Sequence, residues 1–168
     1  MRCFGIVFIL FLFCDVVCSQ TDSIPKKYNL VYLEAAGIGG YGSVNYERLV
    51  LDKYHIGLGV RIGISTYHLK DYRNRFNPDF IIPFSVNSYY GKNHKVEVGV
   101  GEVLGNIVYA DFEKENAIRK TKFHTAFSIG YRYQRENGGF FFRCVYSPIV
   151  EQNKYFRHWG GIAVGYSF

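Results

Sequence analysis

The 168-residue sequence contains one methionine, one tryptophan and four prolines, and after residue 18 it contains a single cysteine, Cys144. A lone cysteine excludes an internal disulfide framework in residues 19–168. The mean hydropathy is −0.06, so no long apolar helix dominates the chain. The abundant residues are glycine (18), tyrosine (15) and phenylalanine (15), a mixture that favours sheets and tight turns over helices.

The first residues have the arrangement of a secretory signal peptide. Arg2 precedes an apolar run from Cys3 to Cys14, and small residues follow the run. This run is too short to cross the ~30 Å hydrocarbon core of a bilayer as a helix. We therefore expect residues 1–19 to be a cleaved signal peptide, 20–28 a lead-in, and 29–168 one domain.

Eight segments alternate between two unlike faces, as β-strands do. They are predicted near residues 29–38, 42–51, 55–67, 80–90, 95–108, 124–134, 139–148 and 159–168. Short polar turns follow three of them, at 52–55, 91–94 and 136–139, and longer polar loops are expected at 68–79, 110–122 and 148–158. Short turns at one end and long loops at the other are typical of an up-and-down membrane barrel.

The composition of the two faces predicts which one points outward. One row carries β-branched and aromatic residues, and the other carries repeated glycines such as Gly57, Gly59 and Gly63. Glycine in a strand marks a close approach, and the interior of an eight-stranded barrel is crowded in this way. We therefore predict an all-β, eight-stranded antiparallel up-and-down transmembrane β-barrel. A soluble lipocalin-like ligand carrier is an alternative that would need the reverse orientation.

The inner row then carries charges. They belong to Glu34, Glu47, Arg61, Glu97, Arg132 and Arg143. Charges in a narrow interior must pair, and the planar fork of arginine can bridge two carboxylates. We predict a closed, charge-paired interior rather than a channel. The phase of the fifth strand turns Glu102 outward together with Val98 and Val100, which a bulge after Gly99 or a position above the lipid would accommodate.

The last segment, GGIAVGYSF, ends on an aromatic side chain. Its alternate residues Ile162, Val164, Tyr166 and Phe168 resemble the C-terminal signature strand of Gram-negative outer-membrane β-barrels. With YLEAAGIGGYGSVNYERL, IGYRYQ and GGFFFRCVYSP, the chain resembles the small eight-stranded outer-membrane protein family, in a largely uncharacterised subgroup. The resemblance implies a bacterial outer-membrane location, recognition of the last strand by the barrel-assembly machinery, and contact with outer-membrane lipid and lipopolysaccharide. It implies no particular activity, because small barrels include adhesins, lipid-modifying enzymes and structural proteins.

Two basic stretches lie on the side of the predicted long loops. They contain Lys70, Arg73 and Arg75, and Arg119, Lys120 and Lys122. Arginine and lysine bind phosphoryl oxygens, so we expect these side chains to contact lipopolysaccharide. The sequence shows no groove-reading element or stacking platform for nucleic acid.

Motifs for catalysis and cofactors are weak. The glycine pattern Gly37–Gly42 precedes a strand rather than a helix, which favours a hairpin over a dinucleotide site. No histidine pair has metal-ligand spacing, so neither a metal nor a cofactor is expected. His124 with Ser128, or His158 with Ser147, could form the site of a lipid A deacylase or acyltransferase, but only by residue type. The sequence favours a monomeric structural or surface-interaction protein over this enzyme.

Overall fold

The computed structural model describes residues 29–71, 73–111, 116–150 and 156–168, and the predicted signal peptide and lead-in lie outside them. The strands in these residues are β1 (Asn29–Ala36), β2 (Gly42–Lys53), β3 (Ile56–Ser65), β4 (Phe80–Gly91), β5 (His94–Asp111), β6 (Asn116–Gln134), β7 (Gly139–Tyr146), β8 (Ile149–Val150), β9 (Phe156–Arg157) and β10 (Gly160–Ser167). Among the described residues, no helix is long and apolar enough to cross a bilayer.

Eight of these strands close into an antiparallel barrel. Strands β1 to β7 pair in chain order, β7 pairs with β10, and β10 pairs with β1. The short strands β8 and β9 form a hairpin that pairs with β6. Closure leaves the barrel without an open sheet edge. The prediction of an all-β, eight-stranded up-and-down barrel is confirmed.

The two ends of the barrel differ. At the turn end, β2 and β3 are joined by Tyr54 and His55, whose φ angles of 53° and 66° are those of a two-residue type I′ hairpin. The links 92–93 and 135–138 are also at this end. The opposite end, which we call the loop end, carries the segments 37–41 and 66–79.

Strands β5 and β6 are longer than the sequence pattern predicted. The loop expected at 110–122 is wrong over most of its length, because β5 and β6 stay paired up to Asp111 and Asn116. Strand β4 stops pairing with β5 at Phe80 and Asn106, so the upper part of the β5–β6 hairpin projects beyond the wall. The segment 110–122 is mostly polar, and its composition therefore predicts a loop. A hairpin that projects beyond the wall has no buried face that would require alternating apolar residues.

Glu102 points outward, as its phase predicted. Strand β5 pairs Glu102 with Phe84 on β4 and with Thr125 on β6, and neither ladder has a register shift. The bulge considered for this position is therefore absent from β5. The Thr125 hydroxyl donates a hydrogen bond of 2.6 Å to Glu102 Oε1, which gives the carboxylate a local partner on the outer wall.

The interior is layered along the barrel axis. An apolar cluster toward the turn end contains Leu30, Tyr32, Phe141 and Ala163. A second cluster toward the loop end contains Ile38, Ile81, Val103 and Ala126. The charged residues of the inner row adjoin the first cluster, since Leu30 pairs with Glu47, and Ala163 pairs with Glu34 and Arg143.

Candidate functional site

The six charged side chains of the inner row form one continuous network of alternating sign. In order of contact they are Arg61, Glu34, Arg143, Glu97, Arg132 and Glu47. Each is between 0 and 2% exposed. Three carboxylates and three guanidinium groups cancel, so the burial leaves no net charge within the network.

The carboxylates of this network are engaged on both oxygens. Glu97 Oε1 lies 2.7 Å from Arg143 Nη2, and Glu97 Oε2 accepts from Arg132 Nη1 at 3.2 Å. Glu47 Oε1 accepts from Arg132 Nη2 at 2.6 Å, and its second oxygen accepts from the Asn87 amide at 3.1 Å. Such saturation offsets the large desolvation cost of a buried carboxylate.

Four of the five ion pairs in this network join strands that are not neighbours in the barrel, and the fifth joins Glu97 on β5 to Arg132 on the adjacent β6. Glu47 on β2 is the direct cross-strand neighbour of Arg61 on β3, yet Glu47 binds Arg132 on β6, on the opposite wall. Glu34 on β1 binds Arg61 on β3 and Arg143 on β7, each two strands away around the barrel. The network therefore ties distant strands together and resists flattening of the barrel.

Arg132 is held by rings as well as by carboxylates. Its guanidinium carbon lies 4.3 Å from the Tyr89 ring centroid and 4.9 Å from that of Phe141. Cation–π attraction strengthens when the cation is desolvated. Arg132 and Arg143 face each other across β6 and β7, and Glu97 offsets their repulsion by binding both.

The glycine row gives the network its space. A Cβ at Gly59 would lie 2.6 Å from Glu47 Oε1, and a Cβ at Gly63 would lie 2.2 Å from Asn45 Oδ1. Both distances are well inside van der Waals contact. Glycine is needed at these two positions because Glu47 and Asn45, on the neighbouring strand, fill the space that any larger residue would occupy.

The sequence reasoning missed the amides that complete the network. Asn45 Oδ1 accepts from Arg61 Nε at 3.0 Å and from Arg61 Nη2 at 2.8 Å, and Asn45 Nδ2 donates to Ser43 Oγ at 2.9 Å. Asn45 is in the same phase of β2 as Glu47. The alternation could therefore have identified it, had uncharged polar residues been included.

The outer wall is an apolar belt. The predicted assembly residues Ile162, Val164 and Tyr166 on β10, and Phe168 directly after it, are between 46 and 62% exposed, and all four point outward. Their neighbours on the inner face, such as Ala163, are buried. Phe168 is fixed by backbone hydrogen bonds of 2.8 and 3.1 Å to Asn29, so its ring stands on the wall at the turn end.

The structure separates the six basic residues that were predicted to contact lipopolysaccharide. Lys70, Arg73 and Arg75 are exposed on the segment 66–79. Asp71 Oδ1 accepts the backbone N–H groups of Arg75 and Arg73 at 3.0 and 2.9 Å, and these bonds lower the pKa of its carboxyl. Arg119, Lys120 and Lys122 lie on β6, so their predicted position in a loop is wrong.

The basic residues of β6 occupy both faces of the projecting hairpin. Lys120 and Lys122 lie over the Tyr109 ring at 5.8 and 5.2 Å. Arg119 is on the other face, where Nη1 donates to Asn106 Oδ1 at 2.8 Å and Nη2 donates to Pro78 O at 2.9 Å. A further bond from Nη2 reaches Asn77 Oδ1. Arg119 thus fastens the segment 66–79 to the hairpin.

A buried carboxylate makes a second connection between the same two elements. Asp79 is 1% exposed, and its Oδ1 accepts the Val108 backbone N–H at 2.8 Å. Its Oδ2 lies 3.0 Å from His68 Nδ1. No sequence pattern indicates this role, because a single aspartate after a proline is common in exposed loops.

Neither histidine–serine pair forms a catalytic dyad. His124 and Ser128 are four residues apart on β6, a separation of about 13 Å along a strand. His158 Nδ1 lies 2.5 Å from the Tyr146 hydroxyl, while Ser147 is fully buried. In the part of the chain that the structure describes, no cluster of His, Cys, Asp and Glu could hold a metal ion.

The fold is similar to solved outer-membrane barrels. The N-terminal β-barrel domain of Pseudomonas aeruginosa OprF has 16% identity and a TM-score of 0.56, covering 85% of this chain and 99% of that domain. Yersinia pestis Ail in a phospholipid nanodisc has 9% identity and a TM-score of 0.52, covering 85% of this chain and 100% of Ail. The crystal structure of Ail has 11% identity and a TM-score of 0.51, covering 84% and 95%. At these identities the likeness shows the fold, that of the small eight-stranded barrels.

Comparison of the sequence with protein-family models and with curated proteins found no match.

Proposed function

We propose that the protein is an integral outer-membrane β-barrel with a closed interior, and that its role is structural or is surface interaction through its loop end. The observation that supports this proposal is that charged side chains face the interior of the barrel and apolar side chains face outward, the reverse of a soluble protein. Arg61, Arg132 and Arg143 are buried inside, whereas Leu33 and Ile64 on the outer wall are 60 and 55% exposed. A barrel in water would bury its apolar face and expose its charges. A soluble lipocalin-like carrier would need an apolar lumen, the reverse of this arrangement.

A refolding experiment tests the membrane assignment. Protein refolded from urea into detergent micelles is expected to migrate differently on a gel when boiled and unboiled, because a closed barrel keeps its hydrogen bonds in detergent. The same protein diluted into detergent-free buffer is expected to precipitate. A monodisperse protein in plain buffer that shows no heat-dependent shift would contradict the proposal and favour a soluble barrel.

The loop end supplies the interaction surface in this proposal. The projecting part of the β5–β6 hairpin stands beyond the wall and carries Lys120 and Lys122 on one face, and the segment 66–79 carries the exposed Lys70 and Arg75. Clustered cations next to a membrane attract anionic headgroups. Lipopolysaccharide phosphates at the outer leaflet are the partner whose charge this surface complements.

The terminal strand supplies the assembly signal. Phe168→Ala is expected to reduce the amount of barrel assembled in the outer membrane of an expressing cell several-fold. The in vitro unfolding midpoint is expected to change little, because the ring lies on the outer wall. Phe140→Ala is the matched control, since Phe140 is 57% exposed and pairs with Tyr166 at the same end. Equal assembly of the two variants would show that Phe168 has no special part in recognition.

A further inference from the structure

The outer wall has a groove near the loop end of strands β1 to β4. Its volume is about 520 Å³, and its apolar lining includes Leu33, Val44, Ile64 and Phe80. These four side chains are between 48 and 60% exposed on the outer face. Toward the loop end the groove is bounded by Thr66 and Pro78. Its volume is within the range of about 300–1,000 Å³ that is typical of small-molecule sites.

The groove follows from an interruption in the wall. Leu33, Val44 and Ile64 are neighbours on β1, β2 and β3 and form a smooth apolar floor. The β3–β4 ladder, however, pairs Ile62 with Phe84 and then resumes only at Ser65 and Ile81. Pro83 on β4 has no backbone N–H to donate across this gap. Phe80 stands beyond the interruption and forms the far side of the groove.

A cation lies at the loop end of this groove, behind the Phe80 ring. The Arg119 guanidinium carbon is 5.7 Å from the Phe80 ring centroid. Its contacts with Asn106, Asn77 and Pro78 use three of the five N–H donors of a guanidinium. Among the described residues, no acceptor binds the Nε–H or the second Nη1–H, so both can serve a ligand. Arg119 is exposed, so an anion can reach these donors.

The two acids that line the groove, Glu34 and Asp79, are both engaged, and Glu34 binds Arg61 and Arg143. Asp79 is 1% exposed, and both of its oxygens have partners, the Val108 N–H and His68. It therefore offers little repulsion to an anion above it. Lys70 and Arg75, on the same segment as Asp79, are exposed and positively charged.

We propose that this groove is a binding site for one phosphate-bearing membrane lipid, with an acyl chain on the Leu33–Val44–Ile64 floor and the phosphate on Arg119. The inference rests on the proposed membrane location and adds a specific lipid to it. An apolar floor continuous with the belt selects a chain already in the bilayer. The free guanidinium donors select a phosphate among headgroups, because hydrogen bonds between arginine and phosphate are charge-assisted.

Native mass spectrometry of the refolded barrel in a neutral detergent tests the site. The probes are dimyristoyl phosphatidylglycerol, dimyristoylglycerol with the same chains but no phosphate, and inorganic phosphate. We expect one phosphatidylglycerol to remain bound per barrel, with at least fivefold weaker retention of dimyristoylglycerol. Displacement of the lipid by inorganic phosphate would overturn the proposal in favour of a simple anion site.

Four variants separate this site from general lipid coating. Val44→Trp fills the floor and Arg119→Gln removes the cation, and each is expected to weaken retention at least fivefold. Val98→Trp, at an equally exposed belt position, and Arg135→Gln, at the turn end, are the controls and should retain the lipid. Equal retention by all four would refute the site. The heat-dependent gel shift is measured on the same samples. A normal gel shift together with equal lipid retention would refute the lipid site and leave the barrel proposal intact.

Discussion

Arg132→Ala is expected to lower the free energy of unfolding of the barrel by about 3–5 kcal/mol, the usual cost of breaking a buried ion pair from one side. Glu47 and Glu97 would each lose a buried partner, since Arg132 binds both at 2.6 and 3.2 Å. The rings of Tyr89 and Phe141 would lose the cation between them. Removal of the side chain also leaves a cavity, which adds to the loss in the same direction.

Urea unfolding of the refolded barrel in micelles or vesicles measures this effect. The fluorescence of Trp159, the single tryptophan of the chain, reports the transition. Arg135→Ala is the matched control, because Arg135 is exposed in the link 135–138 and should change the free energy of unfolding by no more than about 0.5 kcal/mol. If both variants unfold at the same urea concentration, the interior charges are hydrated and do not lock the barrel.

Gly165→Ala is expected to cost about 3 kcal/mol or more and to reduce the heat-resistant form sharply. A Cβ at this position would lie 2.3 Å from the Val31 carbonyl oxygen and 2.4 Å from Tyr32 Cβ. The first is a backbone atom of β1, the strand whose pairing with β10 closes the barrel. Relief of the clash would therefore separate the closing pair. Overpacking costs about 1–3 kcal/mol when side chains can adjust, and here the backbone must move.

The matched control for Gly165→Ala is Gly42→Ala, a substitution of the same kind at a position without a clash. Exchange of glycine for alanine within a strand is intrinsically favourable by roughly 0.5–1 kcal/mol, because glycine loses more chain entropy on folding. Gly42→Ala should show this gain or no change, since the nearest atom to its Cβ would be 3.9 Å away. The difference between the two variants, read from boiled and unboiled gels and from urea unfolding, isolates the clash. A Gly165→Ala barrel as stable as Gly42→Ala would mean that the β1–β10 pairing tolerates a side chain.

Ion pairs between distant strands and the β1–β10 pairing both restrain the shape of the barrel. Ion pairs that cross the lumen hold the wall rigid, so ligands at the loop end would meet a fixed platform. The links from Arg119 and Asp79 extend this rigidity to the segment 66–79. The segment 66–79 is therefore fastened to the barrel at the edge of the proposed lipid groove.

The sequence by itself determined the eight strands and their two faces. A strand alternates its side chains with a period of two, so Ile56, Ile62 and Ile64 fall on one face and Gly57, Gly59 and Arg61 on the other. The glycine-rich composition of the second face identifies it as the inner one. The inner position of the six charged residues follows from the same rule. A local periodicity contains this information, and no knowledge of distant residues is needed.

The extent of β5 and β6 could not be read from the pattern. Above Phe80 these strands have no barrel neighbour on one side, and neither face is buried against a core. The sequence over 110–122 is mostly polar, as in a loop, and the pairing of Asn106 with Thr121 is visible only in the tertiary structure.

The choice of ion-pair partners was also decided by the tertiary structure. Adjacent strands suggest that Glu47 pairs with Arg61, whereas closure brings Arg132 from the opposite wall within 2.6 Å of Glu47. The groove depends in the same way on the interruption of the β3–β4 ladder where Gly63 lies against Pro83. Alternation encodes the face on which a residue lies, but only closure of the barrel sets which residues meet across the lumen, because that distance depends on strand number, tilt and register together.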